Sequence, residues 1–420
     1  MQEIIKDADI KSRQERYDLL IFLANMLAEY GETAYEIEDV LAKAGTYLKI
    51  EGHYMVLGSV LLVTSESEKM QRFSMRLLPS GTPVLNKLEQ VRDVIHSLIS
   101  GNTDPKEARK KLESIKDQKE AFGKFLKFLC WPLVGGGFAV FFGGSLNECI
   151  AGAFISSVLY FIYIYFSGLN STEKRRMFEP VASIAASFLA ILCSYIYKHI
   201  FFVPNLSVGI ASLSGMMMLM PGLTLTKAMN EIALGHTISG MSRFLNALTT
   251  LMFMATGIFL ATKLKSILDI SQASFSPQPA NIWIVLTAII GATYGLCVYA
   301  SVKHRHFLWV LMVTIFVSML IIKGSDFLSP VLATGFAAFI SAVFANLYSR
   351  IRNCSDSIIK VPNAYILVPG ATGFSAIVLL TSNQIMPGII KLLTTIEISL
   401  SIIVAFIFAD IIFPPKKFWE

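Results

Sequence analysis

From residue 125 to residue 413 the chain is a succession of long apolar runs broken by short polar interruptions. A helix needs about 20 apolar residues to cross the roughly 30 Å hydrocarbon layer of a bilayer. Ten runs approach that length, near 125–143, 146–167, 177–197, 203–221, 241–262, 280–301, 307–322, 327–348, 361–380 and 394–413, with Lys360 and Pro369 crowding the ninth. Before residue 125 the pattern shortens. "RYDLLIFLANMLAEYGETAYEIEDVLAKAGTYL" reads as two amphipathic helices joined at Gly31, with Glu32 and Thr33 opening the second. "HYMVLGSVLLVTS" and "QRFSMRLLPSG" read as the two strands of a hairpin, and helices follow near 83–100 and 104–122, the last opened by the start signal "NTDP". The pattern predicts a small α+β domain over 1–124 and, after it, a mainly α-helical polytopic membrane protein.

Composition agrees with that division. The chain is 54% hydrophobic and 16% charged, with a mean hydropathy of +0.58, against roughly 45–50% apolar and 25% charged in soluble domains. Residues 1–124 hold 18 of the 36 Lys and Arg and 20 of the 30 Asp and Glu, so this segment is near −2 and the remainder near +8. The excess positive charge belongs to membrane loops and does not mark a nucleic-acid surface. With the N-terminus inside, the loops on the cytosolic side carry twelve Lys and Arg and the outer loops five, so both termini are expected in the cytosol and the number of spans is expected to be even. The first residues lack the apolar core of a secretory signal, so the N-terminal domain is expected to stay in the cytosol of a cell whose plasma or inner membrane holds the rest. The five cysteines all lie beyond residue 124 without a CxxC pair and are expected to be free, lipid-buried thiols.

Ten spans divide into five and five, over 125–265 and 279–415, and an odd count per half would invert the second half relative to the first. "LMPGLTLTKAM" and "LVPGATGFSAI" align Pro221-Gly222 with Pro369-Gly370 and Thr224 with Thr372, late in the fourth span of each half. Proline removes an amide donor and glycine loosens the backbone. Paired breaks at membrane depth are tolerated only where protein or a watery cavity satisfies the freed groups, and transporters place substrate there. After the first break Leu225, Ala228, Met229 and Ile232 share one helix face, and Thr226, Lys227, Asn230 and Glu231 share the other. Such a helix is too polar to cross. It either lies on the cytosolic surface with its polar face in water, or forms a gate whose polar face borders the pathway.

Acidic groups in hydrocarbon are costly and point to function. Glu148 in "GGSLNECIAG" and Glu397 in "TTIEISLS" are the proton-carrier candidates, each set against an unremarkable place at the outer interface; Glu179 and Asp410 are read as span-edge anchors. His304 and His306, beside Lys303 and Arg305, read as a positive anchor rather than a metal site, and His236 as a surface residue. Gly135-Gly136-Gly137, the Gly291/Gly295 pair and the Ala333, Ala337, Ser341, Ala345 stripe are packing devices. The acidic run Glu32, Glu36, Glu38 and Asp39 reads as charge favouring a helix start and solvent. Phosphate loops, dinucleotide fingerprints, HExxH and GxSxG are absent, so no cofactor and no enzyme chemistry are expected.

The helix pair "EYGETAYEIEDVLAKAG", the helix "GNTDPKEARKKLESI", the entry "GGGFAVFFGGSLNECIAG", the stretch "MPGLTLTKAMNEIALGHTISGMSRFLNAL" and the later "LVPGATGF" together resemble the threonine/serine exporter family. The likeness covers nearly the whole chain and is strongest over 17–63 and 130–250. It departs at the first strand, where "HYMVLGSVLLV" stands in place of a Thr-Pro element, and around Pro369. It implies a ten-span secondary transporter that exports small hydroxy amino acids, driven by the proton gradient, with a cytosolic N-terminal domain. The partners expected are an amino acid and the lipid bilayer, with homo-oligomerisation open. In that reading Pro221, Gly222, Pro369 and Gly370 frame the substrate site, Thr224, Asn230 and Thr372 bond its hydroxyl, and Glu148 or Glu397 carries the proton. The rival readings are a passive channel for small metabolites, a membrane enzyme acting on lipid, and a scaffold or sensor acting through the N-terminal domain.

Overall fold

The computed structural model describes residues 2–50, 52–67, 70–79, 81, 83–169, 177–200, 206–267, 281–324, 327–367, 370–381 and 384–415. The N-terminal domain opens with helices α1 (Gln2–Glu29) and α2 (Ala34–Tyr47). Gly31 turns the chain between them at φ +87°, and Thr33 caps α2 by accepting from the Glu36 amide. Three strands follow, β1 (Gly52–Leu57), β2 (Val60–Ser67) and β3 (Met70–Leu77), as an antiparallel meander in that order. The expected hairpin had two strands. The first of its runs holds a turn of its own, because Gly58 takes φ +63° and pairs Leu57 with Val60 across a two-residue loop. Helices α3 (Leu85–Ile99) and α4 (Pro105–Asp117) complete the domain, α4 starting from the Asp104 cap and Pro105. Leu23 and Leu27 of α1, Ile37 and Leu41 of α2, Leu61 of β2, Val91 and Leu98 of α3 and Leu112 of α4 are buried together.

The membrane part runs α5 (Lys124–Phe141), α6 (Leu146–Ser167), α7 (Phe178–His199), α8 (Val208–Gly215), a 3-10 turn (Met217–Leu219), α9 (Gly222–Ala233) and α10 (Thr237–Ile267). It continues with α11 (Ile282–Tyr299), a 3-10 turn (His304–His306), α12 (Phe307–Gly324), α13 (Pro330–Arg352), α14 (Ser357–Leu367), α15 (Gly370–Thr381) and α16 (Ile385–Ile412). Among the described residues seven helices are long and apolar enough to cross a membrane, or eight if the bent pair α8 and α9 counts as one span. Hydropathy had read ten. The residues expected to span at 203–221 form α8 and the 3-10 turn, with a 49° bend at Met216 between Gly215 and the segment Met217–Ala233, and Pro221, which cannot donate to the helix ladder, separates the 3-10 turn from α9. The span expected at 361–380 is divided between α14 and α15; Pro369 lies outside the described residues.

Large apolar side chains face outward where lipid belongs. On α6 these are Leu146, Ile150, Phe154, Phe161 and Tyr165, spaced by helical turns. Close approach is carried by small residues, as expected. A Cβ on Gly137 of α5 would lie 2.8 Å from the Ala288 carbonyl of α11, and one on Gly295 of α11 would lie 2.8 Å from the Cys130 carbonyl of α5. Gly291 would meet only Leu133 at 3.4 Å, so one of the two paired glycines carries the contact. Ala333, Ala337, Ser341 and Ala345 form a buried stripe on α13. All five cysteines are free thiols, and four of them are buried.

The N-terminal domain is seated on the membrane helices. The Leu85 amide donates to the Ala300 carbonyl at 3.0 Å, and Glu89 holds Lys303 at 2.8 Å and Arg305 at 3.0 Å. On the other side the Ser239 hydroxyl donates to the Val56 carbonyl at 2.7 Å and accepts from the Gly58 amide at 2.9 Å.

Candidate functional site: two helix breaks above a charged cavity

Pro221 interrupts its helix at φ −78°, ψ 39°, and α9 starts at Gly222 without a side-chain cap. The first amides of a helix have no partner inside it, so an uncapped start leaves them available. The start of α15 approaches this break. A Cβ on Gly370, the first residue of α15, would lie 3.4 Å from Met220 Sδ and 3.7 Å from Met220 Cβ, next to Pro221. One turn on, a Cβ on Gly373 would lie 3.1 Å from the Thr395 methyl of α16 and 3.6 Å from Leu251 of α10, so α15 is wedged between those helices. Thr224 and Thr372 are partly buried beside their breaks.

Past Pro221 a cavity of about 590 Å³ lies between α9 and the N-terminal domain, within the roughly 300–1,000 Å³ common for small-molecule sites. Leu223 and Ala364 give it part of its apolar lining, and Thr226, Lys227 and Asn230 of α9 line one wall. Glu32, Glu36 and Arg92 of the N-terminal domain face them, with Asp356, Lys360 and Asp410 completing the polar lining. The polar face of α9 is thus turned toward the N-terminal domain. Lys227 donates to the Gly31 carbonyl. Glu231, fully buried, accepts from the Ala34 amide at 3.0 Å and from Arg243 Nε at 3.0 Å.

The polar lining is held in ordered pairs. Arg92 is ion-paired with Glu32, lies 3.5 Å from Glu36 and donates to the Ser355 hydroxyl at 3.3 Å. Burial opposes ionisation of Glu32, but Arg92, a hydrogen bond from Glu36 and the charge of Lys227 outweigh it and hold this carboxyl below its usual value. Burial pushes the Glu36 carboxyl well above its usual value, and the neighbouring Glu32 charge pushes it further. Asp356 is held low because Lys360, at 2.7 Å, outweighs its burial. Lys360 also lies 2.9 Å from Asp410, which accepts from Asn346 Nδ2 at 2.6 Å.

The residues expected at the site fall into groups. Pro221, Gly222 and Gly370 come together, with Thr224 and Thr372 nearby, and Asn230 lies two turns along α9 in the cavity wall. Glu148 and Glu397 are elsewhere. Glu148 is 5% exposed and accepts from the Ser145 amide at 2.8 Å and the Ser207 amide at 2.9 Å, so it completes a capping box on α6 and joins α6 to the start of α8. Glu397 is exposed on the outward surface of α16. Glu179, read as an anchor, accepts from Thr250 Oγ1 of α10 at 3.0 Å. Sequence reading missed Arg92, and weighed Glu32 and Glu36 as an acid site only to set them aside as helix-start charge. Glu32 and Glu36 stand four apart at a helix start, a like-charge pair that costs stability unless a cation from elsewhere lies between. That spacing was the available signal.

Two family models match the chain. "Putative threonine/serine exporter" covers residues 18–265, and "Threonine/Serine exporter, ThrE" covers residues 284–412. Among curated relatives, the threonine/serine exporter of Corynebacterium glutamicum is 22% identical over 318 residues, 72% of this chain and 62% of that protein. The uncharacterized protein C7D4.12c of Schizosaccharomyces pombe is 21% identical over 376 residues, 86% of this chain and 48% of that protein. The pheromone-regulated membrane protein 10 of Eremothecium gossypii is 22% identical over 382 residues, 88% of this chain and 50% of that protein. The chain thus spans about half to three fifths of the length of these relatives. No solved structure matches it. With a model of the family matching well over half of its residues, this multi-pass membrane chain belongs to the threonine/serine exporter family of transporters.

Proposed function

We propose that this chain is a secondary transporter that exports small hydroxy amino acids, threonine or serine, from the cytosol, and that the proton gradient drives it. The observation that carries the reading is the approach of Gly370 to Met220 at the Pro221-Gly222 break, next to Leu223, which lines a cavity of about 590 Å³. Broken helices supply unpaired amides and carbonyls where a substrate has to leave water, and helix starts suit a carboxylate. The order of elements supports two related halves. Three long helices, two shorter ones and a long last one occur in 124–267 and again in 282–412. In this reading the halves are inverted repeats, the spans number ten, the termini and the N-terminal domain are cytosolic, and the cavity is the cytosolic entrance. Thr224, Thr372 and Asn230 take the substrate hydroxyl. Glu397 is the better of the two coupling candidates, because both carboxylate oxygens of Glu148 already cap helices.

The test is release of radiolabelled threonine or serine from liposomes holding the purified full chain, with and without an imposed pH gradient. Saturable release accelerated by the gradient and inhibited by the unlabelled amino acid is expected. Release that never runs against a concentration gradient would make the protein a channel, and release of neither amino acid would remove the assigned substrate.

A further inference from the structure

An amino acid entering a cavity from water exchanges the hydration of an ammonium and a carboxylate for groups of the protein, and each needs an opposite charge or hydrogen bonds there. Most charges around this cavity are engaged with one another. Asp39 holds Lys43 at 2.7 Å, Asp356 and Asp410 share Lys360 at 2.7 and 2.9 Å, and Glu32 holds Arg92.

Two groups have no ion-pair partner of their own. Glu36 of α2 has a 3.5 Å contact with an Arg92 already paired to Glu32, hydrogen-bonds to Glu32 and takes a long hydrogen bond from Thr33 at 3.4 Å, and its side chain stays 42% exposed while lining the cavity. Lys227 of α9 donates to the Gly31 carbonyl, has two further N–H donors, and has no carboxylate within ion-pair distance among the described residues. Asn230, three residues on and also lining the cavity, makes no side-chain hydrogen bond among the described residues. A carboxyl that a neighbouring ammonium would ionise, a cation and a neutral amide around one cavity match the ammonium, carboxylate and hydroxyl of a small hydroxy amino acid.

We infer that Glu36 and Lys227 read the zwitterion at the mouth of this transporter: Glu36 accepts the substrate ammonium, Lys227 donates to its carboxylate, and the N-terminal domain thereby supplies half of the recognition. This rests on the transporter reading above and goes beyond it by moving a specificity-determining residue out of the membrane part. Asn230 then faces the side-chain hydroxyl. A first-turn carboxylate also suits the dipole of α2, so the test reads ligand discrimination and not stability alone.

The full chain in liposomes is assayed for threonine efflux with three competitors: threonine, its 2-hydroxy counterpart lacking the ammonium, and threoninol lacking the carboxylate. The unaltered protein is expected to prefer threonine over both. Glu36→Gln is expected to raise the half-saturating concentration by about ten- to a hundredfold, the loss of a hydrogen bond to a charged group, more than it lowers the maximal rate, and to lose the preference over the 2-hydroxy acid alone. Lys227→Met is expected to lose the preference over threoninol alone. Glu36→Asp, which keeps the charge, is expected to retain the preference and guards against a misfolded Gln variant. Unchanged preferences in both Glu36→Gln and Lys227→Met, with efflux intact, overturn this assignment and leave the transporter reading standing. An unaltered protein that moves no amino acid removes that reading and this assignment with it.

Discussion

Met220 and Gly370 touch across the two halves of the membrane part: a Cβ added to Gly370 would stand 3.4 Å from Met220 Sδ. That spacing is ordinary van der Waals contact for one methyl and closed to anything larger. Gly370→Ala is therefore expected to keep efflux near the unaltered rate, and Gly370→Leu to reduce it by roughly tenfold or more, since an added side chain in a packed contact forces backbone shifts. Efflux assays on both, with size-exclusion profiles to confirm folded protein, check this. Equal rates for Ala and Leu would dissociate this contact from transport.

The two membrane carboxylates should separate by phenotype. Glu148 receives two backbone amides from different helices, so Glu148→Gln is expected to cost about 1–3 kcal/mol of stability and to lower the melting temperature in detergent. Glu397, exposed on α16, should tolerate Gln without loss of fold while efflux loses its response to the pH gradient. Coupling retained in Glu397→Gln would take Glu397 out of the mechanism.

Arg92 lies between Glu32 and Glu36, with 10% and 6% of the Arg92 and Glu32 side chains exposed. Removing the cation alone leaves a buried carboxylate unpaired, so Arg92→Met is expected to destabilise the chain by about 3–5 kcal/mol. The double variant Arg92→Met with Glu32→Gln should recover a large part of that loss. Denaturant melts of the three proteins measure it, and equal destabilisation of the single and double variants would refute the pairing.

Glu32, just before α2, and Glu36, in its first turn, should respond to pH in opposite senses. Glu32, held below the usual carboxyl value of 4.5, contributes stability that is present above that value and lost as pH falls through its lowered pKa. Glu36, held well above 4.5, contributes stability present below that value and lost as pH rises through its raised pKa. The charges facing Glu36 are Glu32 from the turn before α2, Arg92 from α3 and Asp356 from the segment before α14, with Lys227 lining the same cavity from α9. A melting temperature that declines as pH rises above the ordinary carboxylate range is expected, and the decline should vanish in Glu36→Gln. Parallel profiles for the two proteins would show that another group titrates there.

What could be read in advance was whatever one stretch of chain decides by itself. Twenty apolar residues with a helical outward face make a span wherever they occur, which is why α6, α7 and α13 sit close to their expected bounds. Pro221-Gly222 announces its break through a missing donor. The place of Gly370 beside Met220 was legible only by alignment of the two Pro-Gly pairs. The third strand was hidden because Gly58 turns the chain inside what looks like one apolar run. The cavity was not legible at all. Its charges come from residues as distant in sequence as Glu32, Arg92, Asp356 and Asp410, and nothing local to Glu36 says that Arg92 of α3 lies beside it.

The N-terminal domain holds both halves of the membrane part at once. Ser239 and Glu231 grip it from the first half, and Ala300, Lys303, Arg305 and Ser355 from the second. It is a strap buckled on two sides. If one half tilts against the other, as an alternating pathway demands, one buckle has to release while the other carries the domain along. A reporter pair spanning the looser side would then tick once for each molecule delivered, turning the N-terminal domain into the odometer of the membrane machine.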